Sequence, residues 1–241
     1  RLVNFIDHPK VDHFQLNFKS GNLCNLACRS CNANDSSTFA KLTNHKVDLQ
    51  IATDISENPL YWNAIKKSIL ENVDKHDNFF VHPIGGETLI QPGMHKIIDW
   101  MIDQDLSTKI NLRFTTALTV NLDTLFLEKL RSFKSTAFIL SIDSTGENYR
   151  YVRWPARFEK ITNNVQTLLD FANQQKIKKS YLKWNFFITP VFSINNIFYI
   201  DDWLTYWNSF YQQLGFAFDS YVVSDRKSTR LNSSHMSESR M

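Results

Sequence analysis

The 241-residue sequence is poor in residue types that would mark several protein classes. Three cysteines, six glycines and six prolines exclude a disulfide-stapled secreted scaffold and a glycine-rich low-complexity chain. No uninterrupted apolar run reaches the roughly 20 residues of a membrane-spanning helix. The opening residues, RLVNFIDHPK, also lack the apolar stretch of a secretory signal. Residue 1 is not methionine, which is compatible with a fragment that lacks an upstream part.

The sequence also has little net charge outside its last residues. The formal charge is +3, and residues 225–241 contribute four basic and two acidic side chains. The remaining body is therefore close to neutral, and it has no clustered basic face of the kind that binds nucleic acid. The last 17 residues are rich in serine and nearly free of large apolar side chains. We expect them to be a disordered or non-native tail, and the domain to span residues 1–224.

What the sequence does contain is enough apolar surface for a sizeable core, with 43% hydrophobic residues and nineteen phenylalanines. Short apolar or β-branched runs alternate with segments that carry an apolar stripe at helical spacing. The runs predict six strands, at residues 13–19, 79–85, 109–117, 136–143, 183–191 and 216–223.

The intervening stripes predict amphipathic helices. One stripe comprises Met94, Ile97, Ile98, Met101 and Ile102, and a second comprises Leu122, Leu125, Phe126, Leu130 and Phe133. Two more stripes occupy residues 158–169 and 200–214, and the aromatic side chains of the latter are interpreted as core packing. Residues 59–73 predict a surface helix in the first crossover, with Trp62, Ile65, Ile69 and Val73 facing inward.

Strands that alternate with helices indicate an α/β fold with parallel strands and outer helices. Six such repeats without a glycine-rich dinucleotide fingerprint favour a partial (β/α)6, TIM-like barrel. In that architecture the functional residues lie at the carboxyl ends of the strands.

The three cysteines follow the first predicted strand directly, at Cys24, Cys28 and Cys31. Thiolates are soft ligands that suit zinc or iron–sulfur clusters. A structural zinc site would need a fourth ligand, for which His45 and His82 are candidates without the usual spacing. Three cysteines can instead hold a [4Fe-4S] cluster with one iron open to a cofactor or substrate. Three buried thiols without a ligand would be expected to scatter through the core. An odd number of cysteines without an export signal indicates reduced thiols in the cytoplasm.

The stretch CNLACRSC resembles the cluster motif of the radical S-adenosylmethionine (radical SAM) enzymes. The resemblance implies a partial six-fold (β/α) barrel. It further implies a [4Fe-4S] cluster on Cys24, Cys28 and Cys31, with S-adenosylmethionine bound at the open iron. Electron transfer into this cofactor would then yield a 5′-deoxyadenosyl radical.

The stretch IGGETLI after the second strand resembles the Gly-Gly-Glu-Pro motif of the same family. The resemblance implies that the backbone of Gly85 and Gly86 and the carboxylate of Glu87 accept the ammonium group of the cofactor. Thr88 replaces the common proline. The adjacent glycines by themselves suggest a close backbone approach to a ligand, and a tight turn with a solvated glutamate is the alternative.

Polar side chains at later strand ends complete the predicted cofactor pocket. Thr115 is a candidate lining residue, although threonine is common in strands. Ser141 and Asp143 occupy alternate positions and are expected to face one side. The resemblance implies that this strand end binds the cofactor and that Arg153 pairs with its carboxylate. A turn serine, a helix cap and a surface arginine are the alternatives.

Residues 12–224 resemble radical SAM proteins with a twitch or SPASM-type extension, a group seen in phage and marine microbial sequences. Those extensions bind auxiliary clusters through further cysteines, which this sequence lacks. The resemblance implies hydrogen abstraction, from a peptide or protein or from a small molecule such as a nucleoside precursor. It also implies a reductant such as flavodoxin or ferredoxin. A structural zinc module and a non-catalytic cluster-binding relative are the other two hypotheses.

Overall fold

Five parallel strands form one sheet in the computed structural model, which describes residues 12–48, 53–177 and 184–214. The strand order is sequential from first to last, and every neighbouring pair is parallel. Each strand is therefore joined to the next by a crossover, as the alternation of strands and helices predicts. The strands are β1 (His13–Lys19), β2 (Asn78–Ile84), β3 (Asn111–Thr116), β4 (Ser135–Leu140) and β5 (Trp184–Ile188).

The crossovers contain most helices of the described residues, and the last helix follows β5. The helices are α1 (Ser37–Thr43), α2 (Pro59–Asn72), α3 (Pro92–Asp103), α4 (Thr124–Leu130), α5 (Gly146–Val152), α6 (Phe158–Ile177) and α7 (Ile200–Leu214). Short 3-10 turns occur at Ile55–Glu57, Thr88–Ile90, Ser107–Lys109 and Ile197–Tyr199.

Local sequence explains where individual helices begin and end. Ser36 caps α1 by accepting a hydrogen bond from Phe39 N at 3.0 Å, and Asn44 ends this helix in the left-handed conformation with φ 51°. Asn58 caps α2 in the same way, with Pro59 at the first helical position.

The core lies between the outer helices and one face of the sheet. Phe79, Phe114 and Phe138 of three neighbouring strands are fully buried there. They pack with buried helix side chains that include Ile69, Ile97, Met101, Leu130 and Leu168. The other face, called the inner face below, carries half-buried polar side chains. Half-buried apolar side chains, including Phe80, Ile139 and Phe187, lie beside these polar groups. Such a mixed face is unusual for a parallel sheet that helices cover on both sides.

The predicted α/β fold class is confirmed, and five of the six predicted strands occur. The sixth, at residues 216–223, lies outside the described residues. The predicted third strand begins too early, because Ser107–Lys109 forms a 3-10 turn. The inward position predicted for Leu125 is wrong: this side chain is 73% exposed, and Leu127 is buried in its place. None of the described helices is long and apolar enough to cross a bilayer.

Candidate active site

The three cysteines lie in one loop, residues 20–36, that leaves the carboxyl end of β1 and leads into α1. Two backbone hydrogen bonds attach this loop to the end of α5: Ala27 N donates to Trp154 O at 2.7 Å and Arg29 N donates to Val152 O at 2.9 Å. The residue between these two donors is Cys28. The loop therefore extends from β1 to the helix that follows β4, across the carboxyl edge of the sheet.

The end of β2 packs directly against the start of the cysteine loop. Glu87 N donates to Leu23 O at 2.9 Å. Gly85 and Gly86 have positive φ values of 98° and 54°, which residues with side chains rarely adopt. A Cβ atom on Gly85 would lie 2.5 Å from Gly21 O, and one on Gly86 would overlap Leu23 O. The two glycines thus allow the end of β2 to lie close to the loop of the cysteines, and the approach to a ligand stays a prediction.

Glu87 is 2% exposed and its carboxylate faces the interior. Its Oε2 accepts from Ala117 N at 2.9 Å, and its Oε1 accepts from the Thr116 hydroxyl and from Leu89 N at 3.3 Å. Burial raises the pKa of this carboxyl group, against the opposing effect of these hydrogen bonds. The carboxylate joins the ends of β2 and β3, and its role toward a cofactor ammonium stays a prediction.

The three thiols are close enough to influence one another. Burial raises the pKa of Cys28 to about 12 and that of Cys24 to about 11, and it also raises the pKa of Cys31. Cys24 and Cys31 add to the pKa shift of Cys28, and Glu87 adds to that of Cys24. The free thiols are therefore protonated near neutral pH, and a bound metal would displace their protons.

Asp143 and Arg153 form a buried ion pair beside Cys28. Arg153 Nε lies 2.7 Å from Asp143 Oδ2, and Arg153 Nη1 lies 3.9 Å from Cys28 Sγ. Asp143 Oδ1 also accepts from Val191 N at 2.8 Å. The role of Asp143 and Arg153 as lining residues of a cofactor pocket stays a prediction. The structure pairs them with each other, next to the cysteine loop.

Ser141 and Asp143 do not share a strand face in the way that the alternation argument assumes. β4 ends at Leu140, and Ser141 N donates to Thr116 O at 2.8 Å before the chain turns away. Ser141 is half-buried at the strand end, whereas Asp143 is 1% exposed. The inward direction of Asp143 follows from the ion pair with Arg153 and the hydrogen bond from Val191.

Thr115 lies on the inner face, near the carboxyl end of β3. Its Oγ1 is 2.9 Å from His82 Nε2, and its backbone oxygen accepts from the Thr88 hydroxyl at 2.7 Å. The side chain is half-buried, and its place among the pocket-lining residues stays a prediction.

Two further residues of this region are buried, and sequence reasoning missed the first of them, Tyr149. Tyr149 is fully buried, and its hydroxyl has no hydrogen-bond partner among the described residues. Burial raises the pKa of Tyr149, and the charges of Arg153, Asp143 and Cys28 also act on it. Asn196 is buried, and its Nδ2 donates to Asp143 O at 2.6 Å and to Val191 O at 3.0 Å. Both side chains lie in helical or loop segments where only tertiary contacts give them a role.

A cleft of about 720 Å³ opens beside the cysteine loop, between α1 and α5. Its lining includes Arg29, Phe39, Arg150, Tyr151, Trp154 and Asn195. Within residues 12–48, 53–177 and 184–214, no three His, Cys, Asp or Glu side chains are grouped as ligands of one metal ion.

No protein-family model matches the chain, and no curated protein sequence is significantly similar to it. Solved structures share its fold at low sequence identity. SuiB from Streptococcus suis, bound to S-adenosylmethionine, gives a TM-score of 0.51 at 13% identity, covering 89% of this chain and 40% of SuiB.

Native anSMEcpe is a second structural neighbour. With bound AdoMet and the Cp18Cys peptide it gives a TM-score of 0.54 at 17% identity, covering 87% of this chain and 51% of that one. With bound AdoMet alone its TM-score is 0.53 at 17% identity. The chain thus spans about half or less of these structures, and it has the fold of proteins solved with S-adenosylmethionine bound.

Proposed function

We propose that the protein is a radical SAM enzyme, or the catalytic core of one, with a [4Fe-4S] cluster held by Cys24, Cys28 and Cys31. The observation that carries the proposal is the position of the cysteine loop. It lies at the carboxyl edge of a parallel sheet, against the backbone of Gly85 and Gly86, in a fold shared with S-adenosylmethionine-bound structures.

The residues around the loop fit a sulfur-rich cluster. Three thiols supply soft anionic ligands once deprotonated. Arg153 places an N–H group toward Cys28 Sγ. The buried Tyr149 hydroxyl, on which the charges of Arg153 and Asp143 act, has no hydrogen-bond partner among the described residues. Hydrogen-bond donors near cluster sulfurs are one of the means by which proteins adjust cluster potential. A buried hydroxyl without a partner costs about 1–3 kcal/mol, which a bound acceptor would remove.

The protein's part in the reaction is to hold, orient and enclose the reactants. A cluster held by Cys24, Cys28 and Cys31 would supply the one electron that reduces S-adenosylmethionine, and cleavage of a carbon–sulfur bond would then give methionine and a 5′-deoxyadenosyl radical for hydrogen abstraction. The backbone of Gly85 and Gly86, the hydroxyls of Thr115 and Ser141, and the charged groups of Glu87, Asp143 and Arg153 are the proposed cofactor pocket.

The proposed substrate is a peptide or protein, because anSMEcpe is solved with both AdoMet and a peptide in this fold. A small molecule such as a nucleoside precursor is the alternative. A cytoplasmic reductant, flavodoxin or ferredoxin, would supply the electron.

The test is anaerobic reconstitution with iron and sulfide, followed by addition of dithionite and S-adenosylmethionine. We expect about four irons and four sulfides per chain, the number in such a cluster, and formation of 5′-deoxyadenosine. Cys28→Ala is expected to lose the brown colour and the product. Ser30→Ala, which changes the same loop without removing a thiol, is the matched control and is expected to keep its iron.

The outcomes separate the three hypotheses. One tightly bound zinc without sulfide would identify a structural zinc module. A complete cluster that binds S-adenosylmethionine without forming 5′-deoxyadenosine would identify a non-catalytic relative. Product formation by Cys28→Ala would show that the ligand assignment is wrong.

A further inference from the structure

The inner face of the sheet carries basic and neutral polar side chains but no acidic ones. None of the five described strands contains an aspartate or a glutamate. Lys19 is paired with Asp35 at 2.8 Å where the cysteine loop nears α1. Arg113, in β3, forms no ion pair with any carboxylate of the described residues.

Arg113 is held in place by two neighbouring strands. Its Nη1 donates to Gln15 Oε1 of β1 at 2.7 Å, and its guanidinium carbon lies 3.9 Å from the centre of the Phe80 ring of β2. The guanidinium group therefore extends across β2, stacked on an aromatic face and fixed at one nitrogen. This geometry orients the remaining N–H groups at little further entropic cost.

A polar network connects Arg113 with the candidate active site. Gln15 Nε2 lies 3.4 Å from His82 Nδ1, and His82 Nε2 lies 2.9 Å from Thr115 Oγ1. Arg113 precedes the last residue of β3, Thr116, by three positions, which corresponds to about 10 Å along the strand. A group bound at Arg113 would thus lie on the inner face, a short distance from the carboxyl edge that carries the cysteine loop.

The half-buried guanidinium group of Arg113 would be stabilised by a bound anion. Burial lowers the pKa of Arg113, because the charged form has lost part of its hydration. Removing a charge from water without pairing it is costly, and a planar guanidinium matches a carboxylate with two parallel hydrogen bonds.

We propose that the inner face binds a carboxylate of the substrate at Arg113, so that the peptide substrate carries an acidic residue near the position that reacts. This inference deepens the proposed function and rests on it, because the proposed function supplies the premise that the substrate is a peptide. Phosphate shares the necessary chemistry, and it is the alternative source of the anion.

The test is an NMR titration of the full chain labelled with 15N-arginine. The Arg113 Nε–H signal is assigned as the one that disappears in Arg113→Lys. The probes are N-acetyl-glutamate N-methylamide, its uncharged glutamine analogue, and inorganic phosphate. We expect a saturable shift of this signal with the glutamate probe at a dissociation constant on the order of 1–10 mM, and none with the glutamine probe.

Variants separate a binding role from a packing role. Arg113→Gln is expected to weaken binding of the glutamate probe at least about tenfold, as followed by the backbone signals of neighbouring residues in uniformly 15N-labelled protein. Arg113→Lys keeps the charge and is expected to retain part of the affinity. Arg131→Gln, which removes an arginine that already pairs with Glu128 at the end of α4, is the matched control and is expected to bind as the parent does.

Two outcomes would overturn the proposal. One is the absence of any saturable shift with the glutamate probe, and the other is a response to phosphate alone. The titration needs neither iron nor S-adenosylmethionine. Its failure is therefore distinguishable from failure of the proposed function, which the 5′-deoxyadenosine assay reports.

Discussion

Gly86 follows β2 and lies against the cysteine loop, and the absence of a side chain there allows the loop to sit close to the sheet. Its φ of 54° is also unfavourable for other residues. Gly146, at the start of α5, has a similar φ of 52°, but a Cβ atom added there would meet no atom within 4 Å. The two glycines thus share a positive φ and differ in their surroundings.

This difference gives a matched pair of substitutions. Gly146→Ala is expected to cost about 1–2 kcal/mol of unfolding free energy, from backbone conformation alone. Gly86→Ala is expected to cost clearly more, because the methyl group would overlap Leu23 O and lie 2.9 Å from the carbonyl carbon of Asn22. Denaturant unfolding of both variants is the measurement, and iron uptake should fall only in Gly86→Ala. Equal losses in the two variants would show that the loop can move aside.

At the scale of elements, the pair of Asp143 and Arg153 joins three segments that are distant along the chain. Asp143 follows β4, Arg153 ends α5, and Val191, which donates to Asp143, follows β5. Asn196 joins two of these segments by donating hydrogen bonds to the backbone oxygens of Asp143 and Val191. The carboxyl edge of the sheet therefore depends on a few buried polar contacts in addition to apolar packing.

A double-mutant cycle measures this contribution. Asp143→Ala and Arg153→Ala are each expected to destabilise the metal-free protein by about 3–5 kcal/mol, because each leaves a buried charge without its partner. The double variant Asp143→Ala/Arg153→Ala should lose less than the sum of the single losses. The measurement is the free energy of unfolding in urea.

The pair of Lys109 and Asp74 serves as the control for that cycle. Its nitrogen and oxygen lie 2.6 Å apart, but the two side chains are 49% and 70% exposed. We expect its coupling energy to be below about 1 kcal/mol. Additive losses at Asp143 and Arg153, as at this exposed pair, would contradict a structural role for the buried pair.

At the scale of the whole molecule, one apolar layer between the sheet and its outer helices accounts for the core. The sequence predicts that this domain ends by residue 224 and that residues 225–241 do not take part in it. Because their composition is rich in serine and poor in large apolar side chains, we expect them to bury too little apolar surface to offset the entropy of ordering.

Truncation tests this division of the chain. A protein of residues 1–224 is expected to unfold at the same temperature as the full chain, within about 1 °C, and to take up the same amount of iron. The physical reason is that removal of a segment with few large apolar side chains is expected to change neither the core nor the loop of the cysteines. Calorimetry and iron analysis of both proteins are the measurements. A clearly lower unfolding temperature after truncation would assign the last 17 residues to the fold.

Much of the architecture follows from local pattern. Apolar runs and helical stripes predict the strands and most helices, because a face that packs on a core must be apolar at the period of its element. The prediction is wrong at Leu125, since two alternative stripes fit the short helix α4 and only packing selects the one through Leu127. Two short helices, α1 and α5, were not predicted, because each has only three apolar side chains, whereas α4, of the same length, has four and continues a stripe from Leu122 to Phe133.

The sequence by itself determined the order of the elements and the place of the three thiols after β1, since both depend on residues that are neighbours along the chain. Only the tertiary structure decided which groups meet. It paired Asp143 with Arg153 beside Cys28, turned Glu87 toward Thr116 and Ala117, and laid Arg113 over Phe80. Those contacts join residues from different strands and loops, and a buried charge takes whichever partner the fold brings within reach.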